Sequence, residues 1–249
     1  MDNYLIMLFA IILGSAISLA GGATIFLSKK RRVRAINIAL PFGAGALLAA
    51  AFFDLLPESF ELGEPRSLLT WTLIGFTVFF ILERTATWFH AHHDHDSHAK
   101  DEHQNTLVVI GDLLHNLIDG IAIGAAFLAN PATGLITVLA VSVHEIPKEL
   151  GTFGILLSRG WRDKKVIAAN VLTAIATIFA ATLVYLFGSS TNLPIGPLLA
   201  ATAGMFIYIA ASDIIPDIHE QPRKLGTVQA IVLVLGLVVV GVIIATLGV

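Results

Sequence analysis

The sequence predicts an all-α integral membrane protein with eight transmembrane helices, and three observations carry that prediction. The 249 residues are 56% hydrophobic and 13% charged, against about 45–50% and about 25% in soluble chains. Mean hydropathy is +0.82, which leaves too little polar surface to dissolve a globule of this size. Eight apolar runs recur at 4–28, 37–57, 67–89, 106–128, 134–157, 166–187, 196–215 and 227–248. Each is near the roughly 20 helical residues needed to cross a core about 30 Å thick.

The bulk numbers also exclude some function classes. A net charge of −3 and a pI near 6.3 provide no basic field for nucleic acid. No cysteine is present, so disulfides, thiolate metal sites and a cysteine nucleophile are out.

Taken in order, the first run lacks a basic start and continues to about Leu27, where Lys29, Lys30, Arg31, Arg32 and Arg34 follow it. That order predicts a spanning helix rather than a cleaved signal, with its N-terminus outside. The second run contains Asp54 and Pro57 and ends at acidic Glu58, Glu61 and Glu64, a mouth that attracts cations. The third ends near Arg84, ahead of a histidine-rich loop. After the fifth come Arg159, Arg162, Lys164 and Lys165; after the seventh, Arg223 and Lys224. Among the even-numbered loops only Arg66 is basic. The positive-inside rule therefore puts both termini outside and the odd loops in the cytoplasm.

Two segments repeat at an offset of 159. GALLAAAFFDLLPESFE (45–61) and GMFIYIAASDIIPDIHE (204–220) match Gly45 with Gly204, Asp54 with Asp213, Pro57 with Pro216 and Glu61 with Glu220. Helix 2 runs outward and helix 7 inward, so the match implies an inverted repeat of helices 1–3 and 6–8 flanking helices 4–5, a transporter architecture. The chain then divides into 1–89 (first repeat), 90–104 (cytoplasmic loop), 105–157 (helices 4–5) and 158–249 (second repeat).

The polar residues inside the membrane carry the chemistry. On helix 4, Asp112, His115, Asn116 and Asp119 fall at i, i+3, i+4 and i+7, an arc of roughly 100°. On helix 5, His144, Glu145, Lys148 and Glu149 cover about 140°. Each such group costs several kcal/mol in hydrocarbon without a partner or a wet cavity, so the two stripes are expected to face each other. Imidazole and carboxylate without thiolate suit Zn²⁺, Fe²⁺, Mn²⁺, Co²⁺ or Cd²⁺ rather than Cu⁺. His115 and Asp119 can chelate from one helix while His144 completes a third corner. Pro147 removes a helical donor and is expected to bend helix 5 there. Gly120, Ala122, Gly124, Ala125 and Ala126 leave room for a neighbouring helix.

HNLIDG (115–120) and HEIPKE (144–149) resemble the paired signatures of the ZIP (Zrt-, Irt-like protein) metal-ion transporters, nearest the histidine-rich LIV-1-type branch and its prokaryotic relatives. The resemblance covers essentially the whole chain. It implies that His115, Asp119 and His144 are primary-site ligands, that Asn116 and Glu145 belong to an adjacent second site, and that the molecule dimerises and slides in elevator fashion in a plasma or inner membrane. The position of Lys148 ordinarily holds a bridging ligand in that family, and helix 6, which supplies a carboxylate in some members, offers only Asn170, Thr173 and Thr177. A protonated lysine cannot ligate and repels a second cation. One ion is therefore expected, with Lys148 in the second ion's place, paired with Glu145 or Glu149; Asp112 is a further charge partner.

Weaker signals remain. His90, His92, His93, His95, His98 and His103 mark the third loop as a weak divalent-ion collector. Asp54 and Asp213 are candidate pathway carboxylates at the outer and inner ends. HEIPK departs from the HExxH peptidase signature at its second histidine. No enzyme activity and no catalytic cofactor are expected, the bound species being transported metal, zinc first and iron, manganese or cadmium after it. The expected function is uptake of divalent metal into the cytoplasm by alternating access, with lipid and divalent ions as partners and a homodimer as the assembly. Protons couple or compete, because the ligands must be deprotonated to bind. The alternatives are a metal-binding sensor or scaffold that does not transport and, more remotely, an intramembrane metalloprotease.

Overall fold

A computed structural model describes residues 3–22, 29–91, 99–158, 160–188 and 193–247. The chain is helical: α1 (Asn3–Gly22), α2 (Lys29–Ala50), α3 (Pro65–Ala91), α4 (Ala99–Ala129), α5 (Pro131–Ser158), α6 (Asp163–Gly188), α7 (Ile195–Tyr208) and α8 (Arg223–Leu247). Among the described residues seven spans are long and apolar enough to cross a membrane, so this is a multi-pass membrane protein. The exception is α5. It is 28 residues long, but Glu145, Lys148 and Glu149 confine its apolar stretch to Pro131–Ile146.

Several boundaries differ from expectation, for one reason: hydropathy ends before backbone hydrogen bonding does. The basic residues from Lys29 to Arg34, expected in a loop, form the opening turns of α2. Lys100 and His103 lie in α4, His90 lies in α3, and Lys164 and Lys165 lie in the first turn of α6. The side chains of His90, His103, Pro147 and Asp213 lie outside the described residues, as do His92, His93, His95 and His98 altogether.

Helices α2 and α7 share a further departure. A π-helical turn, Ala51–Leu55, joins α2 to a short helix, Leu56–Glu61, and a second, Ile209–Ile214, joins α7 to Ile215–Glu220. Pro57 and Pro216 each follow two residues after a π turn. A proline ring clashes with the carbonyl four residues back, here Phe53 and Ser212, and both lie in the widened turn that relieves the clash.

The helices pair tightly as α1 with α5, α4 with α6, α2 with α8 and α3 with α7. The main core, from Met7 through Ala44–Leu55 and Ala122–Phe127 to Phe206 and Ile244, mixes alanines, which let the helices approach closely, with large Ile, Leu, Met and Phe side chains. Large apolar residues such as Phe9, Leu73, Phe179 and Ile231 point outward and are exposed, as expected where lipid is the solvent.

Candidate metal centre

Helices α4 and α5 meet at their polar stripes. α4 is drawn into the bundle by its small residues: a β-carbon at Gly120 would collide with the Thr177 carbonyl oxygen of α6. Backbone contact of that kind is available only to glycine. Asp112, Asn116 and Asp119 consequently lie buried on the face their spacing predicted, with His115 beside them at partial exposure.

Four ligating side chains converge: His115, Asp119, His144 and Glu145 offer atoms that all lie within 4.8 Å of one another. His115 Nε2 is 3.3 Å from His144 Nε2, 3.5 Å from Asp119 Oδ2 and 3.6 Å from Glu145 Oε1. His144 Nε2 is 3.7 Å from Asp119 Oδ2 and 3.6 Å from Glu145 Oε1. A tetrahedral ion with ligands at about 2.0–2.1 Å separates them by about 3.3 Å along each edge. The five distances lie close to that value. His144 Nδ1 sits 3.3 Å from the Ala140 carbonyl oxygen, which directs Nε2 to the common point.

Asp119 is the most telling member. It is 0% exposed, and neither carboxylate oxygen has a hydrogen-bond partner. A buried carboxylate left bare costs several kcal/mol, a cost that a cation held by this cluster would offset.

Lys148 closes the other side of Glu145. Its Nζ donates to Glu145 Oε1 at 2.7 Å and lies 2.8 Å from Asp112 Oδ1. The partners are Glu145 and Asp112, not Glu149. Asn116 is turned away from the tetrad: its Nδ2 donates to the Asp112 carbonyl oxygen at 3.0 Å and its Oδ1 accepts from Thr177 Oγ1 at 2.9 Å. Asp54 stands apart, within the π turn that follows α2, and accepts from Thr133 Oγ1 at 3.0 Å.

Sequence reasoning missed the lid over the imidazoles. Phe79 of α3 packs edge-on to His115 with ring centroids 5.3 Å apart, and Phe206 of α7 lies 6.4 Å from His144. Tyr208 packs against Phe76, Phe79 and Phe80. Nothing distinguishes Phe79 in its apolar run; Tyr208, a hydroxyl in mid-membrane, was the available signal.

The model of the ZIP zinc transporter family matches residues 4–107 and 104–244. The chain belongs to the ZIP family. Among similar ZIP proteins, the zinc transporter foi of Drosophila melanogaster is 40% identical over 131 residues, 53% of this chain and 18% of foi. Zinc transporter ZIP10 of Danio rerio is 41% identical over 111 residues, 45% of this chain and 13% of ZIP10. Zinc transporter ZIP13 of Pongo abelii is 28% identical over 220 residues, 81% of this chain and 64% of ZIP13. The chain thus spans less than a fifth of foi and ZIP10. These relatives are named as transporters, which sets the metalloprotease reading aside.

Proposed function

We propose that this ZIP protein carries divalent transition metal, zinc first and iron, manganese or cadmium after it, into the cytoplasm by alternating access, one ion at a time. The observation that carries the reading is the tetrad of His115, Asp119, His144 and Glu145, whose spacing suits a tetrahedral ion. Mixed imidazole and carboxylate donors hold such an ion without the permanence of thiolate. The zinc transporters ZIP10, ZIP13 and foi support zinc as the first substrate to test.

Lys148 is read as the occupant of the family's second metal position. Its ammonium already satisfies Glu145 and Asp112, and a second divalent ion beside it would be repelled. Asn116 holds hydrogen bonds to Thr177 and the α4 backbone; its Oδ1 would keep or exchange the bond from Thr177 if it served as the second-site ligand the family resemblance implies.

The mechanism proposed moves a body of α1, α4, α5 and α6 against a frame of α2, α3, α7 and α8, with eight crossings and both termini outside. Three features support an inverted repeat beneath it. The two π turns lie at the 159-residue offset of the sequence match. The partners pair in mirrored fashion, α2 with α8 as α7 with α3, and α1 with α5 as α6 with α4. Gly45 meets the backbone of α8 at Leu233, and its counterpart Gly204 meets the backbone of α3 at Thr72. Residues that would line the route are Asp54 and Asp213, with the histidine-rich loop as a collector at the inner end and a homodimer as the working assembly.

Uptake into metal-free proteoliposomes tests the reading. Zinc is expected to enter with wild type and to stop with His115→Ala combined with Asp119→Ala, while the variant still elutes as a folded particle. Binding of metal without entry of zinc, iron, manganese or cadmium would favour the sensor or scaffold alternative.

A further inference from the structure

A second space, walled in part by the apolar Ile11, Ile123, Val138 and Val141 and in part by polar side chains, borders Glu145 inside the body formed by α1, α4, α5 and α6. This small cavity is lined by Ser15 and Ser18 of α1, Asn116 of α4, Ser142, Glu145 and Glu149 of α5, and Thr177 of α6. The metal tetrad opens instead toward Phe79 and Phe206 of the frame. α1 is held against α5 so closely that a β-carbon at Gly14 would collide with Ser142 Oγ, which keeps the serines of both helices at one wall. Ser18 is 2% exposed and Glu149 5%, and Glu149 Oε2 has no hydrogen-bond partner.

The chemistry of this lining differs from that of the tetrad. Every donor is an oxygen of a hydroxyl, an amide or a carboxylate, and no imidazole is present. Such a set suits hard cations rather than zinc-like ions. Charge narrows the class. Of the two carboxylates in the lining, Glu145 is paired with Lys148 and belongs to the tetrad. That leaves Glu149, with its unpartnered Oε2, as the one carboxylate that faces the hydroxyls and matches a single positive charge. A water molecule would meet the hydrogen bonds of Glu149 but not its charge, and uncompensated charge is what low dielectric penalises.

We propose that the cavity is a binding site for a monovalent alkali cation, sodium in the first instance, held by Glu149 and the hydroxyls of Ser18, Ser15 and Ser142 and carried with the moving body rather than transported as metal cargo. The match to a single charge rests on the reading of Glu145 as a member of the metal tetrad.

The test is thermal unfolding of the purified full chain in detergent with a chelator present, in NaCl and in N-methylglucamine chloride of equal ionic strength. Sodium is expected to raise the wild-type Tm by roughly 3 °C, saturably. Glu149→Gln is expected to lose the sodium shift and keep the zinc shift; Ser18→Ala, which preserves charge, is expected to need several-fold more sodium. Asp119→Ala is expected to do the reverse, losing the zinc shift alone, so failure of the tetrad reading and failure of this one are separable. The proposal is overturned by no sodium-specific shift in wild type, by an undiminished shift in both Glu149→Gln and Ser18→Ala, or by a Tm that follows pH with no preference for sodium, which would mean a proton on Glu149. Displacement of the sodium effect by zinc, with zinc stoichiometry falling in Glu149→Gln, would make the cavity a divalent site and overturn it equally.

Discussion

In the one-ion reading proposed above, metal count turns on Lys148 and metal affinity on Asp119. Lys148 is bound to Glu145 and Asp112 at ion-pair distance, so Lys148→Glu removes a cation and adds a ligand at one stroke. Bound zinc per chain, measured by mass spectrometry on purified protein, is expected to rise from one to two; two ions per wild-type chain would refute the one-ion reading. Asp119 bears the opposite burden, a bare carboxylate buried without a hydrogen bond. Asp119→Asn keeps its shape and discards its charge. Metal-free Tm is expected to rise by a degree or two because the desolvation cost is relieved, while zinc affinity falls at least tenfold by titration. A variant that loses stability in metal-free buffer would show that Asp119 is held by something other than an ion.

At the scale of helices, close approach decides whether the stripes meet at all. Gly120 lets α4 touch the α6 backbone at Thr177, and the same contact turns Asn116 toward the Thr177 hydroxyl. Gly120→Leu cannot be accommodated by rotamer change, because the obstacle is main chain. Overpacking of this kind costs about 1–3 kcal/mol, so a Tm lower by roughly 5 °C is expected, with zinc affinity reduced although no ligand is altered. Unchanged affinity would mean the tetrad does not depend on α4–α6 contact. The helices themselves were readable from sequence, since the apolar runs and the polar arcs on α4 and α5 follow directly from helical periodicity. Their ends were not, because the basic turns at Lys29–Arg34 and the helical extension back to Ala99 continue the backbone hydrogen bonds beyond the point where the apolar run stops. The π turns were invisible too: prolines at 57 and 216 signal a disruption, not its form.

For the whole molecule, the hydrogen bond from Thr133 to Asp54 joins α5 of the proposed moving body to α2 of the frame. Alternating access requires that contact to break. The chain contains no cysteine, so Asp54→Cys with Thr133→Cys adds one unambiguous pair. Oxidation is expected to stop zinc uptake and reduction to restore it; a cross-linked protein that transports at the reduced rate would count against relative motion of α2 and α5.

The sequence alone determined that the chain lives in a bilayer, that its intramembrane charge is concentrated on α4 and α5, and that His115, Asp119 and His144 can share one ion. Those conclusions need only composition and a period of 3.6 residues, which act within a single helix; Glu145 and Asn116 entered as second-site ligands only through the ZIP resemblance. Tertiary structure alone decided which atoms face one another: Lys148 toward Glu145 and Asp112 rather than Glu149, Asn116 toward Thr177 rather than the tetrad, and the rings of Phe79 and Phe206 over the imidazoles. The physical reason is reach. A side chain's partners across a bundle are set by how closely glycine and alanine let backbones come together and by the rotation each helix takes in doing so, and neither is written in the spacing of residues along one helix.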